Sequence, residues 1–224
     1  MLSPLIRLVD DEPQLRKAQA FVLQLAGFDT REFESAEDFL EQDDHERPGC
    51  VVLDIRMGGM SGLQCQEEMN ARGIRLPVLF LSGHGDIHMA VMALKRGAAD
   101  FLQKPVPAEK LVEACRTLVD WDATSREKAR ERARAKQLLA KLSPREREVA
   151  QLVATGLPNK AVAERLGVSE QNIKIHRSNI YAKLALRSAV EIRSLLDSAG
   201  ADEKKNPLIT LQVLPEDVGG GDSS

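Results

Sequence analysis

The chain has no run of 18 apolar residues, so the sequence predicts no membrane-spanning helix. Its N-terminal segment reaches acidic residues too soon for a secretory leader, and export is not expected. Cysteine is scarce: Cys50, Cys65 and Cys115 are odd in number, scattered and without metal-ligand spacing. They read as the reduced, buried cysteines of a cytoplasmic protein. Aromatic residues are few, with one tryptophan and one tyrosine in 224 residues. That argues against the stacking surfaces by which proteins hold single-stranded RNA. What is present is a hydrophobic content of 43% over a length sufficient for two modest domains.

The net charge of −3 conceals a division. Residues 1–122 carry 13 basic and 21 acidic side chains, residues 123–198 carry 16 and 8, and residues 199–224 carry 2 and 5. An acidic first half and a basic second half imply separate tasks. The basic half is a candidate for nucleic-acid binding, and a solvated surface is the other open reading.

Residues 1–120 alternate strand-like and helical patterns. Strands are expected near 5–9, 28–33, 50–54, 77–81 and 99–102, and helices near 13–26, 35–43, 62–72, 85–96 and 107–120. Repeated βα units of this length predict an α/β doubly wound, five-stranded parallel sheet with helices on both faces. Residues 122–141, rich in Arg, Glu, Ala and Lys and free of Gly and Pro, read as a helical linker. A dimerising coiled coil and a plain solvated helix both fit it, although Ala129 and Ala133 are small for a seam. Four short helices are expected at 144–154, 158–166, 170–184 and 187–198, an all-α domain. Ser143, Pro144 and Glu146 form a capping box with proline at the first helical position. Gly156 and Gly167 mark helix ends, and Ser169 is placed to cap the third of these helices. The domains expected are thus 1–121, the linker 122–141, 142–198, and a C-terminal tail, 199–224. The tail is polar and glycine-rich except for the apolar stretch 208–214, which fits a strand, a docking segment or a loose end.

Polar residues recur where the strand-like runs stop. Asp10 and Asp11 close the first run and Asp54 closes the third. Ser82 follows the fourth, and Lys104-Pro105 the fifth. In a parallel sheet these ends share one edge, where α/β proteins place ligands. Singly each is ordinary: Asp10-Asp11 fits a helix N-cap, Asp54 a loop, Ser82-Gly83 a turn, Lys104 a surface lysine. Together they suit phosphoryl transfer to a carboxylate. Clustered carboxylates repel and call for a divalent cation. Mg²⁺ suits one or two carboxylates with a backbone carbonyl and water. Asp54 would attack the phosphoryl donor in line, Lys104 would neutralise the phosphoryl oxygens, and the Ser82 hydroxyl would donate to them.

The motifs Val9-Asp10-Asp11-Glu12, Leu53-Asp54-Ile55-Arg56-Met57, Gly59-Met60-Ser61-Gly62, Leu81-Ser82-Gly83-His84-Gly85 and Ala99-Asp100-Phe101-Leu102-Gln103-Lys104-Pro105 resemble the receiver domain of bacterial two-component response regulators, over about residues 4–121. The resemblance implies a flavodoxin-like fold and Asp54 as phospho-acceptor. It implies Asp11 as direct Mg²⁺ ligand, Asp10 as ligand through water, and the Arg56 backbone carbonyl as a further ligand. Ser82 and Phe101 would be the residues that reposition on phosphorylation, and the Lys104-Pro105 bond would be cis. Three positions depart from the usual pattern. Gly58 replaces a proline, which is expected to free that loop. Gly83 replaces a larger small residue, opening the phosphoryl group to water. Arg7 stands inside the first strand, where it is expected to reach out past a sheet end.

In the basic half, residues 161–184 read as helix, turn, helix. On a helical wheel Ile173, Ile180 and Leu184 share one face, with His176 and Arg177 at its edges. Gln171, Lys174, Ile175, Ser178 and Ala182 share the other. An outward isoleucine among hydrogen-bonding groups suits a recognition helix in a major groove, and a solvated helix remains open from the wheel alone. The segments Leu142-Ser143-Pro144-Arg145-Glu146-Arg147-Glu148-Val149, Ala154-Thr155-Gly156-Leu157, Asn159-Lys160, Ala163-Glu164-Arg165-Leu166-Gly167-Val168-Ser169 and Ile173-Lys174-Ile175-His176-Arg177-Ser178-Asn179 resemble the LuxR-type helix-turn-helix, over about 141–197. With the receiver-like half, the chain resembles the NarL/FixJ family of response regulators. That resemblance implies DNA contacts from Lys174, Ile175 and Ser178, to which the wheel adds Gln171 on the same face, and phosphate contacts from Asn159 and Lys160. His176 reads as structural, since no partner has ligand spacing. Pro158 and Ala161 stand where the family has a capping box, so the start of that helix is expected to fray.

The expected function is a cytoplasmic, phosphorylation-dependent transcription regulator and not a classical enzyme, its receiver acting only on its own phosphorylation. Its partners would be a sensor histidine kinase, double-stranded DNA and RNA polymerase, with no membrane. It would form a homodimer on phosphorylation, through about residues 85–120. The alternatives are a phosphorylation-independent interaction protein, against which Asp10, Asp11, Asp54, Ser82 and Lys104 argue, and an RNA-binding regulator, against which the shortage of aromatics argues.

Overall fold

The computed structural model describes residues 3–83 and 98–200, which divide into two compact units, one up to Ala123 and one from Thr124. The helix expected near 85–96 and nearly all of the tail lie outside the described residues.

In the first unit β1 (Leu5–Val9), β2 (Asp29–Phe33), β3 (Gly49–Asp54), β4 (Val78–Ser82) and β5 (Asp100–Gln103) form one parallel sheet. Their order is β2-β1-β3-β4-β5, the flavodoxin-like order, with its switch point between β1 and β3. The strands alternate in facing. Ile6, Leu8, Cys50, Val52, Leu79 and Leu81 join one core, with Ala20 and Leu23 of α1 (Pro13–Leu25) and Leu111, Cys115 and Leu118 of α4 (Ala108–Leu139). Val9, Val51, Leu53 and Phe80 join the other, with Phe39 of α2 (Ala36–Gln42) and Cys65 and Met69 of α3 (Gly62–Arg72). All three cysteines are fully enclosed in these two cores.

Arg7 does not reach out past the sheet. Its side chain is wholly buried and ion-paired to Asp43, 2.8 Å away and equally buried. Its other N–H groups donate to the carbonyls of Leu5, Asp44 and Arg47. β1 is an inner strand of the sheet with a core on each face, Val9 in one and Ile6 and Leu8 in the other. The guanidinium finds its partners in the turn after α2 instead of in water. Burial pulls the Arg7 guanidinium below its ordinary value, and Asp43 opposes that.

α4 runs unbroken from Ala108 to Leu139, where the sequence suggested a helix and a separate linker. With no Gly or Pro between Pro107 and Pro144, nothing in the covalent chain stops it. The boundary between the two units falls inside this helix. From Ala123 to Arg134 none of its residues is buried; Ala135 is buried again, and Leu139 enters a core.

That core belongs to the second unit, where α5 (Pro144–Ala154), α6 (Asn159–Leu166), α7 (Glu170–Leu184) and α8 (Ala189–Gly200) pack around Val149, Val153, Val162, Ile173, Ile180 and Ile192. The capping box at Ser143 is formed in both directions. Ser169 caps α7 by accepting from the Asn172 N–H. Pro158 is the N-cap of α6 and supplies no side-chain cap. Glu146 does more than cap: its carboxylate also accepts from Lys183 of α7 at 2.6 Å. Lys183 and the Ser143 backbone hold the Glu146 carboxyl down at about 2. A carboxyl lowered by folding stabilises the fold above its ordinary value and loses that contribution as pH falls through the lowered one. Glu146→Gln is therefore expected to weaken hydrogen-exchange protection of α5 to α8 at neutral pH. It should also flatten the loss of protection that the unaltered protein shows on acidification from about pH 4.5 to about pH 2. An unchanged acid limb in the variant would assign that loss to other carboxylates.

Candidate functional site

The parallel order carries the ends of β1, β3, β4 and β5 to one edge of the sheet, where Asp10, Asp11, Asp54 and Lys104 meet and Ser82 is tied in through its carbonyl, which accepts from the Lys104 N–H at 2.7 Å. Carboxylate oxygens of Asp10, Asp11 and Asp54 lie within 4.8 Å of one another. Lys104 donates to Asp10 Oδ2 at 2.9 Å and stands 3.0 Å from Asp54 Oδ2. Asp10, Asp54 and Ser82 are buried, whereas Asp11 is exposed. The N-cap reading of the acidic pair fails: Glu12 is the N-cap of α1 and there is no side-chain cap. Asp10 Oδ1 instead accepts from the Glu12 N–H at 2.8 Å, a local turn that fixes its carboxylate. Arg16 donates to the Asp10 carbonyl, which steadies the same corner.

Three carboxylates face one ammonium here, leaving an excess of negative charge in a partly buried space. Burial raises the Asp54 carboxyl; Lys104 works against that and the Asp10 charge adds to it. Burial alone would lower the Lys104 ammonium, but its bonds to Asp10 and Asp54 outweigh this and hold it above its ordinary value. The two directions agree: Lys104 has two anions to support its charge, while Asp54 has one cation set against burial and a like neighbour. An all-oxygen donor group with surplus negative charge suits a hard divalent cation.

The loop after β3 is tied down. The Gly58 N–H donates to Asp11 Oδ2 at 2.8 Å and the Met60 N–H to Glu37 Oε1 at 2.9 Å. The freedom expected of Gly58 is offset by the N–H that a proline lacks. Gly62 is required by space, since a Cβ there would lie 2.2 Å from the Asp54 carbonyl oxygen. The Arg56 backbone N–H bonds the Asp54 carboxylate. Phe101 is 36% exposed at the edge strand β5, and the Lys104-Pro105 bond is cis. Glu37 and Arg16 carried no signal in the sequence, because each reaches the site from a helix whose spacing says only that it is polar.

In the second unit α7 buries Ile173, Ile180 and Leu184 and exposes Gln171, Lys174, Ser178 and Ala182. Ile175 is 51% exposed among them. Lys174 stands 3.5 Å from Glu170, an exposed pair of little strength. Lys160 is exposed and Asn159 half-buried, its Oδ1 accepting from Arg177 at 3.0 Å. His176 is half-buried. The first and second units thus carry separate candidate sites, one acidic and one presenting a polar helix face.

Comparison with known proteins gives two family matches, a response regulator receiver domain over residues 6–116 and the luxR family of bacterial regulatory proteins over 140–196. The transcriptional regulatory protein TdiR of Thauera aromatica is 41% identical over 184 residues, 82% of this chain and 81% of its own. The transcriptional regulatory protein FixJ of Azorhizobium caulinodans is 35% identical over 195 residues, 87% of this chain and 92% of its own. Among solved structures, the response regulator StyR aligns with a TM-score of 0.75 at 38% identity, covering 87% of this chain and 98% of its own. Full-length FixJ from B. japonicum aligns with a TM-score of 0.57 at 32% identity, covering 89% and 98%.

Proposed function

We infer that this chain, which belongs to the NarL/FixJ family of two-component response regulators, is switched by transfer of a phosphoryl group to Asp54 and reads duplex DNA through α7. The observation that carries the reading is the bridge of Lys104 between Asp10 and Asp54, with Asp11 beside it. Asp54 would be the nucleophile: a carboxylate oxygen forms a bond to phosphorus as the bond from phosphorus to the donor breaks. The donor would be the phosphohistidine of a sensor histidine kinase. Lys104, already placed against Asp54, would bind an oxygen of the arriving group, and the Ser82 hydroxyl would donate to another. Asp10, Asp11, Asp54 and the Arg56 carbonyl would hold Mg²⁺, which offsets the charge of the carboxylates and of the phosphoryl oxygens. Phe101 and Ser82 would shift together once the group is in place. The receiver would then favour a homodimer, giving two helix-turn-helix units for two half-sites. The chain would act in the cytoplasm with RNA polymerase as a further partner. No described helix is long and apolar enough to cross a membrane.

The test is binding to duplex DNA with and without a small phosphodonor, alongside sedimentation. Phosphorylation should tighten binding and raise the mass together. Unchanged affinity and an unchanged monomer would overturn the coupling. Variants separate the roles on DNA. Lys174→Ala, on the exposed face of α7, should cost ~1–3 kcal/mol of discrimination between the preferred and altered sites. Lys160→Ala should weaken binding to all sequences alike and reduce the salt slope by about one. Undiminished site preference in Lys174→Ala would remove α7 from the recognition role.

A further inference from the structure

Arg177 lies on α7 at the border between its buried and exposed faces and is itself half-buried. Its Nη1 donates to Asn159 Oδ1 at 3.0 Å and its Nη2 to the Tyr181 hydroxyl oxygen at 3.1 Å. Its guanidinium carbon is 5.8 Å from the centre of the Tyr181 ring. One planar fork thus joins the first residue of α6 to two positions on α7. The chemistry fixes how the asparagine is turned. A guanidinium has five N–H donors and no acceptor, so Asn159 has to offer it the amide oxygen, and Nδ2 points away from it. An asparagine amide has two orientations of nearly the same shape, and Arg177 is compatible with one.

We propose that Arg177 is a positioning residue for DNA binding: by holding Asn159 Oδ1 it presents the Asn159 Nδ2 donor to a phosphate oxygen of duplex DNA. The inference rests on the reading of the second unit as a duplex-DNA reader and deepens it. Phosphate oxygens only accept, so the opposite amide orientation would set oxygen against oxygen. Exposed Lys160 follows directly in the chain and supplies charge. Asn159 supplies a directed neutral bond, and Arg177 gives that bond its direction without touching DNA. The Tyr181 hydroxyl accepts from the other terminal nitrogen and so helps to fix the guanidinium plane.

The experiment is DNA binding by the full-length protein, with phosphodonor and Mg²⁺ present, across a salt series. The variants are Asn159→Ala, Arg177→Met and the two combined. Each single variant should weaken binding about three- to tenfold per half-site, the worth of one neutral hydrogen bond. The combined variant should be no weaker than the worse single one, because both changes remove the same contact. The salt slope of Arg177→Met should match the unaltered protein, since a neutral contact releases no counterion. Additive losses, or a slope reduced by about one per half-site, would mean that Arg177 meets phosphate itself and would overturn the proposal. So would unaltered affinity in Asn159→Ala. A purely structural role is separated by Asn159→Asp. It gives Arg177 an ionic partner and adds a negative charge at a helix start, so thermal stability should hold or rise. It also turns an acceptor towards phosphate, so DNA binding should fall further than in Asn159→Ala. Tight DNA binding by Asn159→Asp would overturn the proposal. Failure of the unaltered protein to prefer duplex DNA over RNA would instead overturn the underlying reading, and the proposal with it.

Discussion

Asp54→Asn is expected to take up no phosphoryl group, either from a cognate kinase or from a small phosphodonor with Mg²⁺. Asparagine nearly matches aspartate in shape, so the buried site should stay filled and the fold intact. What is lost is the anionic oxygen that forms the bond to phosphorus. Lys104 loses one of its two anions but keeps Asp10 at 2.9 Å, so it should remain in the site. Removing a nucleophile is not a matter of degree, and the neighbouring carboxylates should keep their places, Asp10 on Lys104 and the Glu12 N–H and Asp11 on the Gly58 N–H. Intact-mass measurement after incubation with phosphodonor checks this directly. A mass increase by one phosphoryl group in the variant, equal to that in the unaltered protein, would put the acceptor elsewhere. The dimerisation and tightened DNA binding expected of the phosphorylated protein should vanish in the same variant.

Arg7→Met should destabilise the first unit by about 3–5 kcal/mol, the usual cost of stripping one partner from a buried ion pair. The loss arises less from the missing attraction than from what remains. The Asp43 side chain is wholly buried, and one of its oxygens already lacks a hydrogen-bond partner. The Arg47 carbonyl would also lose the guanidinium, while the Asp44 carbonyl would keep only the Arg47 N–H. Domains are commonly stable by ~5–15 kcal/mol, so this one change threatens the unit as a whole. Urea unfolding should show it as a large fall in midpoint. Combining Arg7→Met with Asp43→Leu should recover part of the loss, since replacing a buried pair by apolar groups is often nearly neutral. A midpoint within experimental scatter of the unaltered protein in Arg7→Met alone would show that Asp43 is relieved by other means.

These two residues also mark where sequence alone speaks and where it stops. Asp54 was legible because its strand is: residues 50–54 are apolar up to the carboxylate, and the structure ends β3 at Asp54. The same logic placed Asp10, Ser82 and Lys104, whose positions follow from strand ends and parallel order. Arg7 was misread because its partner lies 36 residues away, in a turn whose approach no local spacing discloses. Gly58 was read as freedom from a proline, when the consequence of the change is a backbone donor for Asp11. The long helix Ala108–Leu139 was divided at a change in composition from apolar to charged. Composition marks where burial ends, which is not where a helix has to end. On α7, the buried and exposed faces were legible from the helical period. The bond from Arg177 to Asn159 was not, because it joins two helices, and a wheel describes one.

The enclosed thiols give the molecule a chemical stopwatch. Burial pushes the Cys65 thiol up to about 12. Contact with Cys115, together with burial, raises that of Cys50. A thiol held neutral and out of reach is inert to alkylating dyes, so labelling waits for the sheet and its helices to part. Every cysteine precedes Ala123, and none follows it. The labelling rate in the full-length protein therefore times openings of the first unit alone, undisturbed by fraying of the second. Run with phosphodonor, with duplex DNA and with both, it measures how much each ligand steadies a unit that the DNA does not need to touch.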